Sequence, residues 1–398
     1  MLTLKCVISG QQIRVVQEGL KMSTNETAQI KPIREKPFTW DTKNEYEEVT
    51  LRMQTYVHFH YRHNFDERDF ELYDPRYTRI RSSDWEAFRD PKRFWYTTYT
   101  RDRKNLAIEV ENGFNNAKEL EIIESLPTEW VDGLREIYTP LRHIEYGENV
   151  QMQHVIRYAL GTPIEQCATF QAYDKTGRAQ WITLWAMNMQ EHHGNFLDRS
   201  KEVLLNEPAY QPLRSYAEQL LVTDDWAEVI LAENLTLDLL LGNLMYKHLT
   251  KEAVKRGDYH LSLLNLTINK QMKWQADWAF SLFKLFADDK PNGRWDYLNT
   301  LGYEEWPGDY RWGRTISDPR TTPDTNESNL EIIEDWVQKW YPKAYNAVLA
   351  LAPLFEKHNI GINVEQALKQ IEEEDIIPLY KKAGLPFISV VSAYGREK

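Results

Sequence analysis

From about residue 115 onward, apolar residues recur three and four apart in long segments, and proline and glycine fall between those segments. No alternating period-2 pattern persists, so α/β and all-β folds fit poorly and an all-α fold is expected. Four long helices follow. The first runs from about Trp130 to Tyr158, with Leu134, Ile137, Leu141, Ile144 and Val155 on one face and a kink expected at Pro140. The second runs from about Ile164 to Gln190, with Cys167, Phe170, Trp181 and Leu184 inward. The third follows Thr223-Asp224-Asp225, a good N-cap cluster, and carries Trp226, Ile230, Leu237, Leu240 and Leu244. The fourth runs from about Ser262 to Phe286, with Leu264, Trp278 and Leu285 inward. A last helical pair is expected at 329–358 and 363–384.

The chain divides accordingly into a tail (1–37), an N-terminal arm (38–115), a helical core (116–290), an irregular insertion (291–328) and C-terminal helices (329–390). The arm is the unusual part. Between Phe38 and Thr100, 16 of 63 residues are aromatic, set among Arg, Asp, His and Pro with little helical or strand periodicity. Two readings are open: an irregular lobe packed on its own core, or an arm lying on another subunit. Tyr, Trp, Phe and Arg are the residues that interface cores enrich, which favours the second. Trp85, Phe94, Trp95 and Tyr99 are its candidate anchors.

Four helices of this length suggest a ferritin-like bundle. Diiron members of that fold place a Glu on each of two helices and a Glu-x-x-His pair on each of the other two. The i,i+3 spacing sets carboxylate and imidazole on one helical face. This chain lacks that set: none of its ten histidines has Glu or Asp three residues before it. The inward register places Asp174 and Gly177 at the ligand positions of the second helix, and Gln271 and Trp274 at those of the fourth. Glu233 falls on the apolar stripe of the third helix, and the first offers Glu145 or Glu148. A buried unpaired charge is very costly, so a satisfied polar network is expected, built on Asp174, Arg178, Glu233 and Lys273. His192-His193 reads as a helix-end pair rather than a ligand set. His58, His60 and His63 lie close together without a Cys or a second ligand cluster. There is no phosphate-binding Gly-rich loop, dinucleotide fingerprint or Gly-x-Ser-x-Gly elbow, so no catalytic, cofactor-binding or metal residue is assigned.

A formal net charge of −12 gives a nucleic-acid or anionic-membrane role no electrostatic support. Two cysteines, Cys6 and Cys167, exclude a disulfide framework and fit a reducing cytoplasm. Met1 to Gly10 does not read as a signal peptide, and Met22 is a second candidate start. No stretch reads as the roughly 20 apolar residues of a membrane span.

Four stretches together resemble the β-type, small hydroxylase subunits of bacterial soluble diiron multicomponent monooxygenases, the phenol, toluene, alkene, propane and methane group. They are Ser83-Asp84-Trp85 through Asp90-Pro91-Lys92-Arg93-Phe94-Trp95-Tyr96 with Tyr99; Pro140-Leu141-Arg142-His143-Ile144-Glu145-Tyr146-Gly147; Leu221 to Trp226 with Glu228 and Asn234; and Asp335-Trp336 to Trp340-Tyr341-Pro342. The resemblance spans roughly 80–350. It implies a ferritin-like fold without iron, paired with an α subunit that holds the diiron centre and with a small γ subunit, as two αβγ protomers. It also implies a reductase, a regulatory protein and NADH as electron source for inserting one oxygen atom into a hydrocarbon. Residues 291–328 are longer than the phenol and toluene branches lead one to expect. A self-sufficient ferritin-like oxidase and a helical adaptor are the alternatives.

Overall fold

The computed structural model describes residues 44–53, 77–82, 85–289 and 327–390, and every structural statement below concerns these. They hold helices and connecting turns, with no strand among them. The helices are α1 (Glu45–Met53), α2 (Tyr96–Glu119), α3 (Thr128–Ile137), α4 (Leu141–Tyr158), α5 (Thr162–His193), α6 (Leu197–Asn206) and α7 (Gln211–Leu221). A 30-residue α8 (Trp226–Lys255) follows, then α9 (Tyr259–Asp288), α10 (Asn329–Leu349), α11 (Ala352–Lys357), α12 (Val364–Ile371) and α13 (Ile377–Ala383). The architecture is the all-α, ferritin-like one, with α4, α5, α8 and α9 as its four long core helices.

Local chemistry sets the ends of these helices. Pro140 does not kink one helix but separates two, because it stands at the N-cap of α4 after α3 has closed at Ile137. The Asp225 side chain accepts from the Ala227 and Glu228 N–H groups and opens α8. Asp258 does the same for α9 through Leu261 N–H. Ser328 and Glu331 form a reciprocal capping box on α10. Gly161 at the head of α5 has φ +93° and lies so close to the Trp85 carbonyl that a Cβ would stand 2.3 Å from its oxygen.

The central helix is α8. It packs against α9 on one side, α10 and α12 on another, and meets α4 near its start, which explains why apolar residues surround it on all faces. Trp226–Lys255 is long and apolar enough to cross a membrane by length and composition, contrary to the sequence reading, but 94% of its most apolar window is buried inside the protein. From Leu231 to His248 the helix is wound as π, and the Leu249 N–H bonds the Leu244 carbonyl five residues back.

The sequence reading missed a helix. Residues 96–115, expected as part of an irregular arm, instead belong to α2, which occupies Tyr96–Glu119 with Tyr99, Leu106, Val110, Gly113, Phe114 and Ala117 buried. Three of the four proposed anchors also lie in this chain's own core: Trp85 against Trp226 and Phe286, Phe94 against Trp274, and Tyr99 stacked on Phe170 at 4.1 Å. A side chain only about 5% exposed has little surface left for a partner, so these three are corrected from interface anchors to core residues. Trp95 stays half-buried at the head of α2, beside a Tyr96 that is 70% exposed. Most of the 291–328 segment and the histidines at 58, 60 and 63 lie outside the described residues.

The arm is pinned to the core by charge as well as by rings. Arg103 on α2 donates from Nε and Nη2 to both oxygens of Asp174 on α5, each at 2.6 Å, and Tyr99 Oη donates to the same carboxylate at 2.9 Å. The guanidinium lies 4.8–5.2 Å from the ring centroids of Phe94, Tyr99 and Trp274. Asp174 is almost wholly buried. Arg103→Ala leaves that carboxylate buried without its cation, so chemical denaturation is expected to show a loss of about 3–5 kcal/mol, with Arg103→Ala/Asp174→Asn recovering part of it.

Candidate functional site

Where the four core helices meet, their inward rows carry ionisable groups rather than a continuous apolar seam. Glu145 and Glu148 come from α4, Gln171, Lys175 and Arg178 from α5, Glu233, Asn234 and Asp238 from α8, and Gln271, Gln275 and Trp278 from α9. All are buried. The Lys175 ammonium sits among four carboxyl groups: Glu148 Oε2 at 2.7 Å, both Asp238 oxygens at 2.8 Å, Glu233 Oε1 at 3.3 Å and Glu145 Oε2 at 3.9 Å. The Arg178 Nε is 3.0 Å from Glu145 Oε2, and Nη2 donates to Gln275 Oε1 at 3.1 Å.

Amides and hydroxyls orient this cluster. Gln171 Nε2 donates to Glu233 Oε1 and to Asn234 Oδ1, both at 2.9 Å. The Gln171 oxygen in turn accepts from Asn234 Nδ2 at 2.7 Å and from the Trp278 indole at 3.0 Å. Tyr246 Oη donates to Glu145 Oε1 at 2.6 Å. The π winding helps to bring the acids together, because five residues make slightly more than one turn of such a helix, so Glu233 and Asp238 both reach Lys175.

Two cations face four carboxyl groups in a place sealed from water. Burial pushes the Glu148 carboxyl well above the ordinary range despite Lys175, and Asp238, Glu145 and Glu233 push it further in the same direction. Burial raises Glu233 to about 8, with Asp238 adding to the rise and Lys175 opposing it. Burial alone would strip the proton from Lys175, but Asp238 and Glu148 outweigh it and hold the ammonium charged.

Asp174, Arg178 and Glu233 from the sequence reading are thus all buried in the bundle and connected: Gln275 accepts from Arg178 Nη2 at 3.1 Å and donates to Asp174 Oδ2 at 3.4 Å, while Arg178 meets Lys175 and Glu233 through Glu145. Asp174 belongs to the Arg103 group facing α2. Lys273 is exposed and takes no part; the lysine of the cluster is Lys175. The register of α5 had slipped by one residue, and Arg178, Ile182 and Trp185 face inward where Gly177, Trp181 and Leu184 were expected. The signal was legible: Gln171, Lys175, Arg178, Ile182 and Trp185 form an equally good 3.6-residue row. Trp274 does not reach the carboxylates either, since its indole donates to Asp90 Oδ1 at 2.9 Å, on the arm side. His193 caps locally by contacting the Ile123 carbonyl at 2.7 Å.

These residues do not fit a pair of irons. The cluster supplies carboxyl oxygens but no imidazole, and an ammonium and a guanidinium occupy the space between the carboxyls. Among the described residues, no group of three or more His, Cys, Asp or Glu is disposed to hold a metal ion.

Comparison with known proteins agrees with the architecture. A sequence model of the Methane/Phenol/Alkene Hydroxylase family matches residues 67–290. The chain is 27% identical over 307 residues to the oxygenase component of phenol 2-monooxygenase from Pseudomonas sp. strain CF600, covering 77% of this chain and 82% of that one. It is 24% identical over 288 residues to the hydroxylase component small subunit of propane 2-monooxygenase from Rhodococcus jostii, covering 72% of this chain and 69% of that one. Among solved structures, phenol hydroxylase from Pseudomonas sp. OX1 superposes with a TM-score of 0.72 at 23% identity, over 96% of this chain and 100% of that chain. Toluene 4-monooxygenase superposes with a TM-score of 0.63 at 19% identity, over 80% of this chain and 97% of that one.

The raised Glu233 gives a signed pH dependence. The unfolded chain loses this proton near pH 4.5 and the folded one near 8, so between these values the native state binds one more proton. Stability is therefore lost as pH rises through that window, at about 1.4 kcal/mol per pH unit from this group. Glu233→Gln keeps an acceptor for Gln171 and removes the titration. Urea unfolding at pH 6 and pH 8 is expected to show a smaller difference in the variant than in the parent chain.

Proposed function

Since the chain belongs to the Methane/Phenol/Alkene Hydroxylase family, we propose that it is the non-catalytic, β-type subunit of the hydroxylase component of a multicomponent monooxygenase. Its relatives include a hydroxylase small subunit and a hydroxylase subunit beta, which supports membership of an oxidoreductase complex. The observation that carries the reading is the donor set at the centre of the bundle. Lys175 and Arg178 put an ammonium and a guanidinium among the inward carboxyls, and no imidazole joins them, whereas the fold's diiron members pair their carboxylates with histidines. Two irons and two cationic side chains cannot share that space, so the chemistry falls to a partner subunit holding the diiron centre.

This chain's own part is structural. Its charge-locked core presents a fixed surface, and an α subunit, a γ subunit and a second such protomer complete the hydroxylase, served by a reductase and a regulatory protein in the cytoplasm. NADH is the electron source and the substrate is a small hydrocarbon or phenolic aromatic, consistent with relatives named for phenol, propane and toluene. Of the residues first considered as anchors, Trp95 keeps accessible area to offer a partner, with Tyr96 beside it.

Expression of this chain with a tag, from its own genomic neighbourhood, is expected to copurify a larger subunit carrying about two irons, while the chain expressed alone carries none and oxidises nothing. Iron near two equivalents on the isolated chain, with oxygen-dependent turnover, overturns the reading. Trp95→Ala is expected to reduce copurification of the larger subunit without lowering the melting temperature of the chain alone.

A further inference from the structure

The environment of Lys175 holds more than an ion pair requires. An ammonium has three protons to donate, and three short contacts use them: Glu148 Oε2 and the two Asp238 oxygens. Glu233 Oε1 at 3.3 Å and Glu145 Oε2 at 3.9 Å then crowd the same nitrogen without a proton of their own. Five carboxyl oxygens from two helices thus surround one point of positive charge. Glu148 Oε1 and Glu233 Oε2 are buried in addition and accept no hydrogen bond, so each keeps lone pairs free beside that point. Tyr246 and Gln171 hold Glu145 and Glu233 from behind, as outer partners hold the ligands of a metal ion.

We propose that the Lys175 ammonium is a built-in substitute for a metal ion, and that removing it converts this cluster into a site for one hard divalent cation such as Mn2+ or Ca2+. The donor set decides the class of ion. Oxygen ligands without imidazole or thiolate suit Mg2+, Ca2+ and Mn2+. Arg178 decides the number: its guanidinium, 3.0 Å from Glu145, occupies the ground a second ion would need. In the natural chain the tethered ammonium holds this place, so a free divalent cation binds there only by displacing it. The inference stands on this geometry and does not depend on the subunit reading above; failure of copurification would leave it intact, and its own failure would leave that reading intact.

The test compares the full chain, Lys175→Ala, and Lys175→Ala/Glu148→Gln/Asp238→Asn, in which the cage is neutralised. Binding of Mn2+ is followed by loss of the free-ion electron paramagnetic resonance signal, and Ca2+ by the shift in melting temperature. Lys175→Ala is expected to bind about one Mn2+ per chain at least 100-fold more tightly than the parent or the triple variant, and to melt higher as Ca2+ is added while the other two do not. Should Lys175→Ala fail to fold, recovery of its helical circular dichroism on refolding with Mn2+ or Ca2+, but not without, supports the proposal. A folded Lys175→Ala with no Mn2+ beyond that of the triple variant overturns it. So does an unfolded Lys175→Ala that neither ion rescues.

Discussion

Placing ionisable groups at the centre of a helical bundle imposes a condition that the rest of this structure has to meet. A lone buried charge costs several kcal/mol even after relaxation. Here Lys175, Arg178, Glu145, Glu148, Glu233 and Asp238 come from three helices, and each is tolerable only while the others are in place. The cluster therefore acts as a registration device. A slide of α4 against α5, or of α8 against either, would strand a charge, so the helices are fixed along their axes more firmly than apolar packing alone would fix them. The π winding of α8 belongs to the same requirement, since it lets Glu233 and Asp238 both reach Lys175.

A second anchoring point repeats the logic nearer the surface. Asp174 stands one residue before Lys175, yet it points to α2 and takes its cation from Arg103. Adjacent residues on α5 thus serve two different contacts, one tying the bundle's centre and one tying the N-terminal segment to it. Trp274 extends the second contact by donating to Asp90, whose other oxygen accepts from the Phe94 N–H. Among the described residues of this stretch, Tyr46, Tyr77, Trp85, Phe88, Phe94 and Tyr99 are buried on the chain's own helices. The rings of Trp85, Phe94 and Tyr99 close over α5, α8 and α9.

The places where sequence and structure part company have identifiable physical causes. On α9 the buried residues Leu264, Thr267, Gln271, Trp274 and Trp278 follow the expected row. On α5 the expected row is off by one, because α4, α9, α2 and α1 all touch it and burial then spans so wide an arc that two adjacent rows look equally apolar. Lys273 and Lys175 both lie beside an apolar stripe, and only the register shows that Lys175 is buried and Lys273 exposed. The first half of α2 was hidden by its Thr, Arg and Asn content, although Tyr99, Leu106, Val110 and Phe114 keep helical spacing.

The sequence by itself determined the helical class, three of the four long core helices with the Asp225 cap, and the lack of an imidazole partner for the inward carboxyls. These are consequences of short-range periodicity and residue type, which a linear string carries in full. Only the tertiary structure decided which charges meet, that Lys175 rather than Lys273 sits among the four carboxyls, and that Trp85, Phe94 and Tyr99 face inward. Pairing between helices depends on axial offset and rotation, and a shift of one residue, about 100° around a helix, moves a side chain from core to solvent without changing the composition of either face.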